Sequence, residues 1–155
     1  EQTEETAVLT MTDGLAARCV ESAEPRRAVR LTFRPGNLYP LHRGASAKPL
    51  LAFAAPERQA AYFSHLLTQP DGPAWVARVR GDIARIRREG VSITYGEIDP
   101  GAVGIGAAFL WRGRVMGCIS VAGPADRLTD RRIMQAKAAV KDAAHQLSRH
   151  DQAGA

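Results

Sequence analysis

The 155 residues suit one domain that can bury a real core, and they carry 21 Lys+Arg against 16 Asp+Glu, 45% hydrophobic residues and 6% aromatics. That balance excludes intrinsic disorder, and no apolar stretch approaches the ~20 residues that span a bilayer. The net charge of +5 is uneven: residues 1–24 sum to −5, residues 25–90 to +8 and residues 91–155 to +2, and 18 of the 21 basic residues are Arg.

In chain order, Thr6–Met11 reads as a strand closed by the turn dipeptide Asp13-Gly14, and Leu15–Ser22 as a second. Ala28–Arg34 is expected as a third, because Val29, Leu31 and Phe33 alternate with Arg30, Thr32 and Arg34 until Pro35-Gly36-Asn37 ends the run. The middle is expected to be helical. A short helix covers Ser46–Ala55 with Pro49 near its first turn, a second opens at Pro56 and runs to about Leu67, and a third runs from about Trp75 to Glu89. The third places Val76, Val79, Ile83 and Ile86 on one face, opposite its arginines, with Gly90 as a C-terminal cap.

Val91–Thr94 then reads as a strand, followed by Val103–Trp111 and Val115–Val121 joined in a hairpin by Arg112-Gly113-Arg114. A last helix is expected from Thr129 to about Arg149, with Ile133, Ala136, Val140, Ala143, Ala144 and Leu147 at helical spacing, before a frayed tail at 151–155. Hairpins demand antiparallel pairing, so the order implies an α+β domain: an antiparallel sheet of about six strands covered by helices.

Standard chemistry is sparse. There is no phosphate loop, dinucleotide fingerprint or nucleophile elbow, and the four His lack metal-ligand spacing. Cys19 and Cys118 cannot form a disulfide framework, and the acidic start lacks the order of a signal peptide, so a cytoplasmic location is expected. Two features are more specific. In Pro40–Lys48, small residues Gly44, Ala45 and Ser46 lie where a helix begins, so backbone N–H groups there could hold an anion or could only permit close packing. In Gly117–Pro124, Cys118, Ser120 and Ala122 share one strand face, and Val103–Ala108 is similarly small-sided, which fits either a pocket or a tight sheet–helix contact.

The stretch Pro40–Ala52, the run Gly96–Gly101 leading into Ala107-Ala108, and Ile119–Thr129 together resemble, collinearly, the effector-binding domain of IclR-type transcriptional regulators. The resemblance implies a GAF-like fold, a small carboxylate effector, dimers or tetramers, no enzymatic activity, no cofactor and no metal. DNA would be bound only through an N-terminal winged helix-turn-helix, which nothing in residues 1–155 matches. It places the effector's carboxylate at Gly44, Ala45 and Ser46, and side-chain contacts at Tyr95, Ile105, Ser120 and Ala122, with Leu31, Phe33 or Leu38 as candidate walls. Ser120 keeps the family's polar group. Tyr95, Ile105 and Ala122 replace an acid, a thiol and a hydroxyl, which points to a larger, partly apolar or aromatic acid. Two other readings fit the sequence: a GAF-like enzyme with a redox nucleophile at Cys118 or Cys19, and a nucleic-acid-binding module acting through the Arg78–Arg88 helix.

Overall fold

The structure, a computed structural model, describes residues 3–150, the side chain of His150 excepted, so the tail expected at 151–155 lies outside the described residues. Its elements follow the order β1 (Thr6–Asp13), β2 (Ala16–Ala23), β3 (Leu38–Pro40), α1 (Lys48–Ala52), α2 (Pro56–Leu67), α3 (Gly72–Glu89), β4 (Ser92–Tyr95), β5 (Ala102–Trp111), β6 (Arg114–Pro124) and α4 (Asp130–His150). All six strands join one antiparallel sheet in the order β3-β2-β1-β6-β5-β4.

The β5–β6 hairpin closes through Arg112 and Gly113, both at positive φ (48° and 75°), the backbone that a two-residue turn matched to strand twist requires. α1, α2 and α3 cover one face of the sheet through Leu50, Leu51, Tyr62, Leu66, Val79, Ile83 and Ile86, which pack with Ala17, Leu41 and Cys118. α4 covers the other face of β5 and β6, where Ile133, Ala136, Val140 and Ala144 meet Val103, Ile105, Ala107 and Val121. Each fully buried aliphatic side chain contributes roughly 1.5–3 kcal/mol, so the two layers are the main source of stability. The helical spacings seen in the sequence select these faces, although Leu147 stays 42% exposed.

Two expectations need correction. Ala28–Arg34 is not a strand: residues 24–37 form an irregular segment, and the third strand is Leu38–Pro40, paired to β2. Its alternation holds only in part: Leu31 and Phe33 are half-buried while Thr32 and Arg34 are exposed, but Val29 is 69% exposed like Arg30 beside it. Leu31 and Phe33 face a cavity rather than a neighbouring strand, so the period-2 pattern reports one-sided burial without a ladder. The first helix is also shorter than expected, five residues rather than the ten of Ser46–Ala55.

Candidate functional site

The loop leading into α1 lies on the small-sided stretch of β5 and β6. Gly106 has no room for a side chain, since a Cβ there would collide with the Ala45 carbonyl and sit 3.2 Å from Cys118 Sγ. Cys118 Sγ lies 3.7 Å from the Ala45 carbonyl oxygen, and Thr10 Oγ1 donates to the Ser46 carbonyl at 2.5 Å. At this end the small residues serve close packing. One register step along, Gly104 stands opposite Ala122, and the sheet and loop part to leave a cavity of about 400 Å³. Both readings of the small-residue stripe are therefore realised, at its two ends.

Gly44, Ala45, Ser46, Ser120 and Ala122 line this cavity, and Leu31 and Phe33 close it from the 24–37 segment. Neither the Ala45 nor the Ser46 N–H has an acceptor among the described residues. These two donors, rather than the dipole of a five-residue helix, are what the loop offers to an anion. Arg30 also borders the cavity, its charge paired with Glu24.

Tyr95 and Ile105 do not line the cavity. Tyr95 is 64% exposed, and Ile105 is fully buried against α4. The reason is strand parity: Ile105 pairs with Val121 and Ile93, whereas Gly104 pairs with Ala122 and Thr94. Side chains alternate across a sheet, so Ile105 cannot share a face with Ser120 and Ala122. Thr94 lines the cavity where Tyr95 was expected, and Gly104 where Ile105 was. Leu38 is likewise outside it and 55% exposed, its place taken by Tyr39.

Glu97, within Gly96–Gly101, is a site residue that no local sequence pattern announces. Its Oε2 accepts the Gly44 N–H at 2.9 Å and its Oε1 the Lys48 ammonium at 2.6 Å, while its backbone carbonyl accepts from Arg43 at 2.6 Å. Lys48, with its side chain 4% exposed, also donates to Asp82 Oδ2 at 2.6 Å, and Arg85 pairs with the other Asp82 oxygen at 2.5 Å. This charge cluster joins the cavity loop, α1, α3 and the β4–β5 connection. Gly44 has φ +84°, a backbone that favours glycine, and a Cβ on it would fall 2.9 Å from Cγ1 of the exposed Ile98 side chain. The anionic wall formed by Glu97 and Asp99 makes the cavity mixed in charge.

The remaining candidates are placed elsewhere. Cys19 and Cys118 are both 0% exposed, and burial pushes both thiols up from their ordinary value, Cys118 far more than Cys19. Three of the α3 arginines are engaged: Arg78 lies 5.5 Å from the Trp75 ring centre, Arg80 4.8 Å from that of Phe63, and Arg87 donates to the Ala52 carbonyl at 2.7 Å, while Arg88 stays exposed. Among the described residues no three His, Cys, Asp or Glu side chains gather to hold a metal ion, and no helix is long and apolar enough to cross a membrane.

This six-stranded antiparallel sheet, with three helices on one face and one on the other, is the fold of a chain that matches the bacterial transcriptional regulator IclR C-terminal family. The chain belongs to that family, whose pattern it matches over residues 1–149. It is 32% identical to the HTH-type transcriptional regulator KipR of Bacillus subtilis and 34% identical to BhcR of Paracoccus denitrificans, over 96% of this chain in both cases. The chain spans 61% and 54% of those two relatives. Among solved structures, the C-terminal domain of a Vibrio cholerae transcriptional regulator superposes with a TM-score of 0.81 at 32% identity, covering 93% of this chain and 86% of that one. The Thermotoga maritima IclR, at 23% identity and a TM-score of 0.85, shares the fold.

Proposed function

We propose that this domain senses a small organic acid, taken into the cavity beneath residues 24–37, and passes its occupancy to a DNA-binding domain. One observation carries the reading: a cavity of about 400 Å³ is walled by Leu31, Phe33 and Tyr39 and contains the donor-bearing loop Gly44–Ser46. That volume suits a ligand larger than the smallest acids, and the aromatic walls favour an apolar or aromatic body. The carboxylate sits on the Ala45 and Ser46 N–H groups, and Ser120 and Thr94 supply hydroxyls to its other end. Tyr95 and Ile105 lie outside the cavity.

The domain of the Vibrio cholerae relative is residues 79–240 of its chain, so sequence precedes it there. By likeness to the HTH-type relatives, a winged helix-turn-helix precedes β1 in the whole protein, which works as a cytoplasmic homo-oligomer. The effector need only bind one subunit arrangement better than another to change operator affinity. Regulation without catalysis fits the thiols best, because a redox nucleophile needs an accessible, low-pKa sulfur and both sulfurs here are buried. Direct nucleic-acid binding by α3 fits less well, since Arg78, Arg80 and Arg87 have partners within the fold, although Arg88 stays exposed beside Glu89.

Thermal-shift assays with aromatic acids and small dicarboxylates test the reading. Stabilisation by an aromatic acid is expected, and stabilisation by dicarboxylates alone would contradict the proposed ligand class.

A further inference from the structure

The segment that roofs the cavity is fastened, on its outer side, to three consecutive residues where the chain enters β1. Glu4 pairs with Arg27 of the roof at 2.5 Å. Glu5, its side chain 1% exposed, takes Arg127 in a two-pronged pair, Nε to Oε1 at 2.8 Å and Nη2 to Oε2 at 2.7 Å. The remaining arm of Arg127 donates to the Val29 carbonyl at 2.9 Å, within the roof. Thr6 Oγ1 donates directly to the Leu31 carbonyl at 2.6 Å, and Leu31 itself lines the cavity.

The roof has no strand ladder of its own between Glu24 and Arg34. Backbone that lacks a ladder opens locally at low cost unless side chains hold it. These ties hold Arg27, Val29 and Leu31, while Ser22 Oγ of β2 donates to the Phe33 carbonyl at 2.6 Å, and together they keep Leu31 and Phe33 over the cavity. Arg127 is the central tie, because one guanidinium holds both the roof and Glu5. Its rigid fork satisfies a buried carboxylate that would otherwise stand unpaired. The floor is linked too. Thr6 pairs across the sheet with Ala122, which lines the cavity, and Glu5 lies against Gly123, where a Cβ would come within 2.7 Å of its Cδ.

We infer that Arg127 is a latch that couples the roof of the cavity to the chain entering β1, so that the roof and residues 4–6 open and close as one unit. An occupant that holds Leu31 and Phe33 in place fixes Val29, then Arg127, then Glu5, and with it the direction in which any preceding domain leaves this one. By reciprocity, strain on that entering chain changes affinity in the cavity. The use of the latch in sensing rests on the cavity being a ligand site, but the mechanical coupling does not.

Hydrogen–deuterium exchange on the intact chain separates the two. Arg127→Met, which keeps the length of the side chain and removes its donors, is expected to speed exchange about tenfold or more in peptides covering both 24–37 and 3–12, with β5 unchanged. Acceleration in only one of the two segments overturns the coupling. If that variant does not fold, Thr6→Val removes the Leu31 tie without changing shape. It is expected to speed exchange at the roof and at residues 3–12 together, and wild-type exchange at the roof overturns the latch. In the wild type, saturating benzoate is expected to slow both segments in concert, and slowing of the roof alone overturns the coupling. If benzoate slows neither while Arg127→Met still loosens both, the coupling stands and the ligand reading is the one that fails for this acid.

Discussion

Gly106 of β5 lies directly beneath Ala45, so close that a single methyl group would enter the space of the Ala45 carbonyl oxygen. The cavity loop is thus seated on bare backbone, and its donors are positioned by that contact. The clash is with main chain rather than with a movable side chain, so Gly106→Ala must push the loop away. Overpacking typically costs about 1–3 kcal/mol, and this site belongs at or above the upper end. The lowered midpoint should be read in urea unfolding. Gly81, on the exposed side of α3 with nothing within 4 Å of a built Cβ, is the opposite case. Gly81→Ala should raise stability by roughly 0.5–1 kcal/mol, as expected where alanine replaces an unconstrained helical glycine.

Lys48 holds two carboxylates at once, Asp82 and Glu97, from a position nearly closed to solvent. Removing one partner of a buried pair generally costs ~3–5 kcal/mol because the other charge is stranded. Lys48→Met should fall near the lower end, about 3 kcal/mol, since Asp82 keeps Arg85 and Glu97 keeps the Gly44 N–H. Adding Asp82→Asn to Lys48→Met should recover part of the loss, and the two changes should be strongly non-additive in urea unfolding.

How much of this could be read from the sequence divides along physical lines. The β5–β6 hairpin, the apolar faces of α3 and α4, and the Gly90 cap (φ +72°) follow from local pattern, and each is present. Leu31 and Phe33 misled, because alternation records which side chains are buried and not whether a strand lies alongside. Tyr95 and Ile105 fall outside the cavity through register: a one-residue choice sends a side chain to the other face, and the pairing of Gly104 with Ala122 is settled between strands, not within one. Lys48, Asp82 and Glu97 are far apart in sequence, so no local pattern announces their cluster.

His42 offers a pH-dependent check. Its Nδ1 lies 2.7 Å from the Tyr62 hydroxyl and its ring centre 4.7 Å from that of Trp75. Burial, helped by the Arg43 and Lys48 charges, holds the ring below its ordinary value. The unfolded chain therefore binds a proton that the folded one resists, so stability is full above the ordinary histidine value, roughly 6.5, and declines as pH falls below it. Urea midpoints should drop between about pH 7 and pH 5. His42→Asn should flatten that part of the profile.

The two thiols should be silent. With Cys19 and Cys118 at 0% exposure and both thiols pushed up by burial, iodoacetamide at pH 8 should leave the native chain unmodified over hours and label both sites after denaturation. Rapid labelling of either in the native state would revive the redox-enzyme reading.

The most direct test of the central claim is an amide NMR titration of the ¹⁵N-labelled chain with benzoate and with 4-hydroxybenzoate. Saturable shifts are expected at Ala45, Ser46 and Gly104, together with Leu31 of the roof, while the amides of α4 stay in place. Saturable shifts confined to other surfaces, or none across a wider panel of organic acids, would contradict a sensing cavity beneath residues 24–37.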